Sequence, residues 1–163
     1  MNLTQLKTQI YYRDAKLPEL TSNEVFMSLV DRAIVNVRGG LKAFTPNVFE
    51  GWLNSQTSPV TIPDDCIHNE TPLFYTTNNT QFPISDDNWY RKADKWYFSG
   101  TLDILYPKDI ARFTLMSTEL PFKNRKSEEM LISEVMALIY RWHEENEATP
   151  SVTEAITQSN SIQ

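Results

Sequence analysis

The chain has 163 residues, 40% of them hydrophobic and 12% aromatic, with a formal charge of −6 and a pI near 4.9. A domain of this size buries about 70% of the surface its unfolded chain exposes, so the sequence supports a true core and not a disordered acidic polymer. The charge argues against a phosphate-gripping surface, because the cations fall in short groups at 38–42, 91–95 and 123–126, each diluted by neutral or acidic neighbours.

The one cysteine, Cys66, excludes an intramolecular disulfide and a Cys-based zinc site. No apolar run reaches the roughly 20 residues a membrane span requires, and residues 1–10 do not read as a signal sequence. A reducing cytoplasmic setting is therefore expected. There the Asn-x-Thr triplets at Asn69 and Asn78 meet no glycosylation machinery.

Along the chain, Leu3, Leu6 and Ile10 recur at helical spacing and predict an amphipathic first helix before Pro18. Thr21-Ser22-Asn23-Glu24 has the form of a capping box, opening a helix whose apolar face carries Phe26, Leu29, Val30, Ala33, Ile34 and Val37. Gly39 and Gly40 are expected to end it in the left-handed conformation that glycine tolerates. Thr45-Pro46 predicts a second short helix burying Val48, Phe49, Trp52 and Leu53.

From residue 58 the texture changes. Pro59, Pro63, Pro72, Pro83 and Pro107 punctuate short β-type runs at 60–62, 73–76, 88–91, 95–99, 101–106 and 110–116. The aromatic runs at 88–91 and 95–98 flank Lys92-Ala93-Asp94 and predict a hairpin with a three-residue turn. The last helix is expected to be capped by Ser127, with Glu128 and Glu129 on the positive end of its dipole. Its stripe of Leu131, Val135, Leu138 and Trp142, widened by Ile132, Met136 and Ile139, implies burial on more than one side. The helix is expected to stop near Glu147. A polar, flexible tail at 148–163 would follow, ordering on assembly, after a single domain at 1–147. The fold class expected is α+β: a helical bundle of the N-terminal helices and the long C-terminal one, with a small antiparallel sheet or hairpin inserted.

The pattern offers no catalytic constellation, metal site or cofactor site. His68 sits in a Pro/Asp/Asn-rich stretch and reads as a loop residue. His143 has Asn146 and Glu147, not histidines, at the spacings where a helical metal ligand wants company. Cys66 follows two carboxylates, which disfavour a thiolate, and reads as structural. Asp64-Asp65 and Asp86-Asp87 lack the Asp-x-Asp-x-Asp-Gly continuation of a calcium loop. A nuclease-like set of Asp103, Glu119 and Lys123 fails on spacing, since Glu and Lys are four apart and straddle Pro121. Four glycines in the whole chain leave no phosphate-cradling loop. The aromatic group Trp89, Tyr90, Trp96, Tyr97 and Phe98 reads as hairpin core plus a protein-contact surface. Partner contact is expected at Trp89, Trp96 and Tyr97, at Trp142 on the last helix, and at Pro150, Val152 and Ile156 in the tail.

Four passages carry a resemblance. They are Met1 to Lys7 with Asp31 to Arg38, the step Val60-Thr61-Ile62-Pro63-Asp64-Asp65, the run from Trp96 through Gly100 and Asp103 to Pro107, and Glu119-Leu120-Pro121 before the long helix. In this order the chain resembles the small head–tail adaptor (neck, or head-completion) proteins of tailed bacteriophages. The resemblance spans most of residues 1–147. It implies a non-enzymatic virion protein of the neck, assembled in the host cytoplasm. It also implies self-association into a ring, dodecameric in the form expected here. One side of that ring meets the portal protein and the other a tail or nozzle protein, and DNA passes the channel without specific binding. A tail terminator or stopper from the same neck region is a neighbouring reading. A small acidic regulatory or inhibitory binding protein is the alternative from another class.

Overall fold

The computed structural model describes residues 1–67, 70–77 and 82–162, with side chains described through residue 146. Helix and strand are mixed, as expected, and the strands form small antiparallel sheets. The chain divides into two compact units. One comprises Met1–Phe44 with Arg112–Gln163, and the other, Thr45–Ala111, is inserted between those segments.

In the first unit, helix α1 spans Leu3–Arg13 and buries Leu3, Leu6 and Ile10, the three residues its spacing singled out. Its start is fixed by a capping box that the sequence reading missed. Asn2 accepts from the Gln5 N–H at 2.8 Å, and the Gln5 side chain accepts from the Asn2 N–H at 2.9 Å. Helix α2, Asn23–Asn36, is capped one residue later than expected, by Ser22 accepting from Val25 at 3.2 Å. It buries the expected face from Phe26 to Ile34.

Gly39 and Gly40 do not end a helix. They lie inside helix α3, Arg38–Phe44, which follows α2 after the cap at Val37. At Gly40 a Cβ would stand 2.8 Å from the terminal methyl of Met130 and closer still to its sulfur, the movable end of a flexible side chain. Gly39 faces open space and has no left-handed φ.

The C-terminal helix (α5 here, since a short α4 precedes it in the second unit) spans Arg125–Ile162. The helices α1, α2 and α3 each pack on it. Leu131, Ile132, Val135, Leu138 and Ile139 are buried, which bears out the wide apolar face. Two expectations change. The first turn is capped by Asn124, whose side chain accepts from the Lys126 N–H at 2.8 Å, and Ser127 is fully buried with a hydroxyl that has no partner. The helix also continues past Glu147 through Pro150, so 148–162 is helical backbone and not an irregular tail. Proline's fixed φ near −65° is itself helical; what it withholds is one donor, here the one due to the Asn146 carbonyl.

Residues 110–116, expected as a strand, form none. From Arg112 onward the backbone serves the helices. Phe113 donates to Asp31 at 3.2 Å, Thr4 to Met116 at 3.1 Å and Leu3 to Thr118 at 3.2 Å. The far end of α1 is tied to α5 by Arg13, paired with Glu129, and by Asp14, which accepts from the Tyr140 hydroxyl. The Arg13 guanidinium holds Glu129 below the usual carboxylate range, and the Tyr140 hydroxyl does the same for Asp14. Both carboxylates favour the folded state when charged, so this tie is complete above the ordinary carboxylate range and is lost as the pH falls.

Two substitutions report on these placements. Gly39→Ala in the first turn of α3 is expected to raise stability by about 0.5 kcal/mol, since alanine is the better helix former and meets nothing. A residue in a left-handed cap would respond with a loss. Ser127→Ala removes a buried hydroxyl without a partner and is expected to stabilise by about 1 kcal/mol, whereas an N-cap serine would cost about as much to remove. Thermal unfolding of both variants checks the two signs.

Candidate partner-binding surface

The second unit begins with α4, Pro46–Phe49, a single turn that gives way to strand β1, Glu50–Thr57. This strand replaces the rest of the short helix that was expected there. The remaining strands are β2, Val60–Thr61; β3, Leu73–Thr76; β4, Trp89–Lys92; β5, Lys95–Phe98; and β6, Thr101–Pro107. They make two three-stranded antiparallel sheets, ordered β1-β6-β3 and β2-β5-β4. The hairpin is present, with Lys92 opposite Lys95, so its turn is the two residues Ala93-Asp94 and not three.

Alternation decides which side chains are free. On β5, Trp96 and Phe98 turn to the core, while Lys95 and Tyr97 lie on the opposite face. Both sheets share one core built around Phe74, whose ring lies 4.8 Å from Trp89, 5.4 Å from Phe98 and 6.0 Å from Trp96, the last edge-on. Trp96 is 2% exposed, so its expected partner contact is corrected: it is a core residue between Phe74 and Tyr106. Trp89 is half-buried against Phe74, and its remaining surface is at the sheet edge.

The outer faces carry the contact chemistry. On the first sheet Trp52, Leu105 and Leu73 stand side by side across β1, β6 and β3, and the Trp52 ring leans on Tyr75 at 5.5 Å. Trp52 is 44% and Leu73 47% exposed. On the second sheet Tyr90 and Tyr97 are directly opposite and stack at 5.0 Å with planes 6° apart. The next pair on that face is Lys92 opposite Lys95. Tyr97 thus lies on the outer face of the sheet, half-buried under Tyr90. Trp52, Leu73 and Tyr75 were missed, because helical spacing had placed Trp52 inward and the period-two pattern of 50–53 was not recognised.

In the first unit Trp142 is half-buried on α5, and its carbonyl accepts from Asn146 at 2.8 Å. Pro150, Val152 and Ile156 lie on the helical backbone, but their side chains fall outside the described residues, as do His68, Asn69 and Asn78 altogether.

The residues weighed for chemistry have structural employment. Cys66 is buried, and burial pushes its thiol pKa up, away from thiolate. Glu119 holds the N-terminal ammonium at 2.9 Å. Asp103 accepts from the Ser55 N–H at 2.8 Å and so pins the bulge of β1, where Ser55 sits at φ 53°. Asp65 accepts from the Tyr106 hydroxyl at 3.0 Å; burial first, then this bond, pushes that phenol up to about 12. His143 has a buried Nδ1 without a partner. Among the described residues no three His, Cys, Asp or Glu side chains converge as a metal cluster, and no helix is long and apolar enough to cross a membrane.

A cleft of about 140 Å³ beside Cys66, Thr71, Trp89 and Arg91 is below the 300–1,000 Å³ of ordinary small-molecule sites. A depression of about 460 Å³ runs along Thr4, Gln5, Thr8 and Gln9 of α1 and is open to solvent. Comparison of the chain with protein-family models, curated proteins and solved structures finds no match. The reading of this surface therefore stands on its own geometry.

That geometry hangs on Gly51. A Cβ there would lie within 2.5 Å of the Tyr106 ring, which is buried and held at its hydroxyl, so the ring cannot swing away. Gly51→Ala is expected to cost about 1–3 kcal/mol through overpacking. Tyr106→Phe should cost only about 1 kcal/mol, the value of the bond to Asp65. Chemical denaturation of the two variants tests this order.

Proposed function

We propose that the protein is a virion structural protein of a tailed phage: a ring-forming head–tail adaptor that docks on the portal and continues the DNA channel. The observation that carries the reading is the exposure of large side chains in ordered rows on the outer sheet faces, Trp52 with Leu73 on one sheet and Tyr90 with Tyr97 on the other. Rows of this kind, set by strand register, suit protein contact better than catalysis.

The order of the parts supports the same reading. Helices come first, a sheet-bearing unit at 45–111 is inserted, and a long helix closes the chain. That is the order read from the sequence pattern, and on the adaptor reading the helical part is a bundle on α5. On this reading the portal lies on one side and a tail or nozzle protein on the other, the site is the virion neck, and DNA passes without specific contact. The C-terminal segment from residue 148 onward is the part directed at the portal.

One observation favours a second reading, a small acidic inhibitor: residues 45–111 hold nine carboxylates against four cations. Native mass spectrometry of the chain with a candidate portal protein separates the two. A ring-stoichiometric complex is expected for the adaptor, and a chain truncated after residue 147 should stay folded yet fail to join. A full-length chain indifferent to the portal, or a truncated one that joins normally, would overturn the adaptor reading.

A further inference from the structure

We propose that the outer edge of β4 is a self-recognition strand, pairing antiparallel with β4 of a second copy about a two-fold axis at Tyr90. The inference does not rest on the adaptor reading.

A sheet edge offers backbone donors and acceptors to any strand that fits, and most edges are blunted. Among the described residues, the edges at β3, β1 and β2 are blunted. The outer side of β3 is already met by residues 82–84, with Ile84 donating to Phe74 at 2.7 Å and Thr76 to Phe82 at 3.1 Å. The edge of β1 is bent by the bulge at Ser55. Strand β2 is two residues long. Strand β4 is an edge with four paired residues, no proline and no bulge.

Its charge is ordered along its length. Asp86 and Asp87, both exposed, precede the strand, and Lys92 closes it. Three of the four cations of residues 45–111 lie on this hairpin, at Arg91, Lys92 and Lys95. Antiparallel pairing with itself reverses the segment, so the acidic end of each copy meets, twice, the turn end of the other, where Arg91, Lys92 and Lys95 outnumber Asp94. With Tyr90 on the axis, Lys92 falls beside the helical turn Asp86–Asn88 of the second copy, which carries Asp86 and Asp87. A parallel arrangement would set like on like. Lys92 therefore bars indiscriminate edge pairing while matching the same strand reversed.

Two local features gain from the second copy. Within one chain Lys92 is directly opposite Lys95, an unfavourable like-charge pair that carboxylates from outside would offset. Tyr90 is 59% exposed although stacked on Tyr97. At the axis it would meet its counterpart, giving a strip of four tyrosine rings across the joined six-stranded sheet.

Sedimentation velocity of the full chain over a range of concentration and salt tests the proposal. A monomer–dimer equilibrium is expected, weakening as salt rises, because exposed charge pairs are screened. Lys92→Glu and Asp87→Lys should each raise the dissociation constant by at least about tenfold, by setting like charges together. Mixing the two variants should restore a heterodimer, since the glutamate introduced in one copy then faces the lysine introduced in the other. That arm keeps the test valid even where one variant alone is altered in fold. A chain monomeric throughout, a self-association that neither variant moves, or a mixture that fails to recover would each overturn it. None of these readouts involves the portal, so failure here is distinct from failure of the adaptor reading.

Discussion

Phe74 is the contact on which the second unit depends. Three short strands alone make a marginal sheet, and this unit has two such sheets. They are stable together because Phe74, from the edge of one, lies among Trp89, Trp96 and Phe98 of the other, while Ile104 and Tyr106 close the same core from β6. Large aromatics suit this place, since each buries much area with few torsions to order. One consequence follows for the surface. With the inward positions of every strand committed to this core, period-two alternation turns Trp52, Leu73, Tyr90 and Tyr97 outward. The exposed rows and the core are two sides of one register, and a one-residue slip would exchange them.

How far this was legible in the sequence depended on whether a signal was local. The helix faces at Leu3–Leu6–Ile10 and Phe26–Ile34 were readable because they repeat at helical spacing over many residues. The hairpin was readable because two aromatic runs flank a short polar turn, although its turn length was not, since Ala93 adopts φ 56° where glycine is the usual choice. Strand β1 was not readable. Thr45-Pro46 does start a helix, and nothing local shows that it lasts one turn; the Glu50–Thr57 register comes from pairing with β6, far along the chain. The same holds at 110–116, whose β-type residues give their hydrogen bonds to Asp31 and to α1 and not to a sheet. Gly39-Gly40 misled for the converse reason. The glycine at 40 lies against the end of the Met130 side chain within a helix, a neighbour that sequence proximity cannot reveal.

The candidate surface was legible by composition and not by residue. Tryptophan and tyrosine in the 88–98 stretch announced an aromatic hairpin, but only strand phase separates Trp96, fully engaged with Phe74, from Tyr97 beside it. Phase also explains Asp103. It looks catalytic because it is a buried acid after Gly100. Its employment is to hold Ser55 in a left-handed conformation, and the bend this creates in β1 blunts an otherwise long edge. The carboxylate acts on the interaction surface by closing one edge of it.

Symmetry constrains how these surfaces combine. Antiparallel pairing of β4 with itself is isologous: each copy uses the same strand, and the contact is saturated at two. A closed ring needs a heterologous contact, in which one patch of each copy meets a different patch of the next. The two cannot be the same surface. If both assemblies form, the ring contact must lie elsewhere, and the row of Trp52, Leu105 and Leu73 on the other sheet is neutral, apolar and not used by the β4 pair. Each copy carries a net charge of −6, so approach of copies is opposed except where charge is absent or alternates in sign. The Trp52 row satisfies the first condition and the β4 edge the second. A dimer through β4 therefore leaves the apolar row open. On that proposal the strand pair is itself weak and salt-sensitive, because the charges that hold it are exposed.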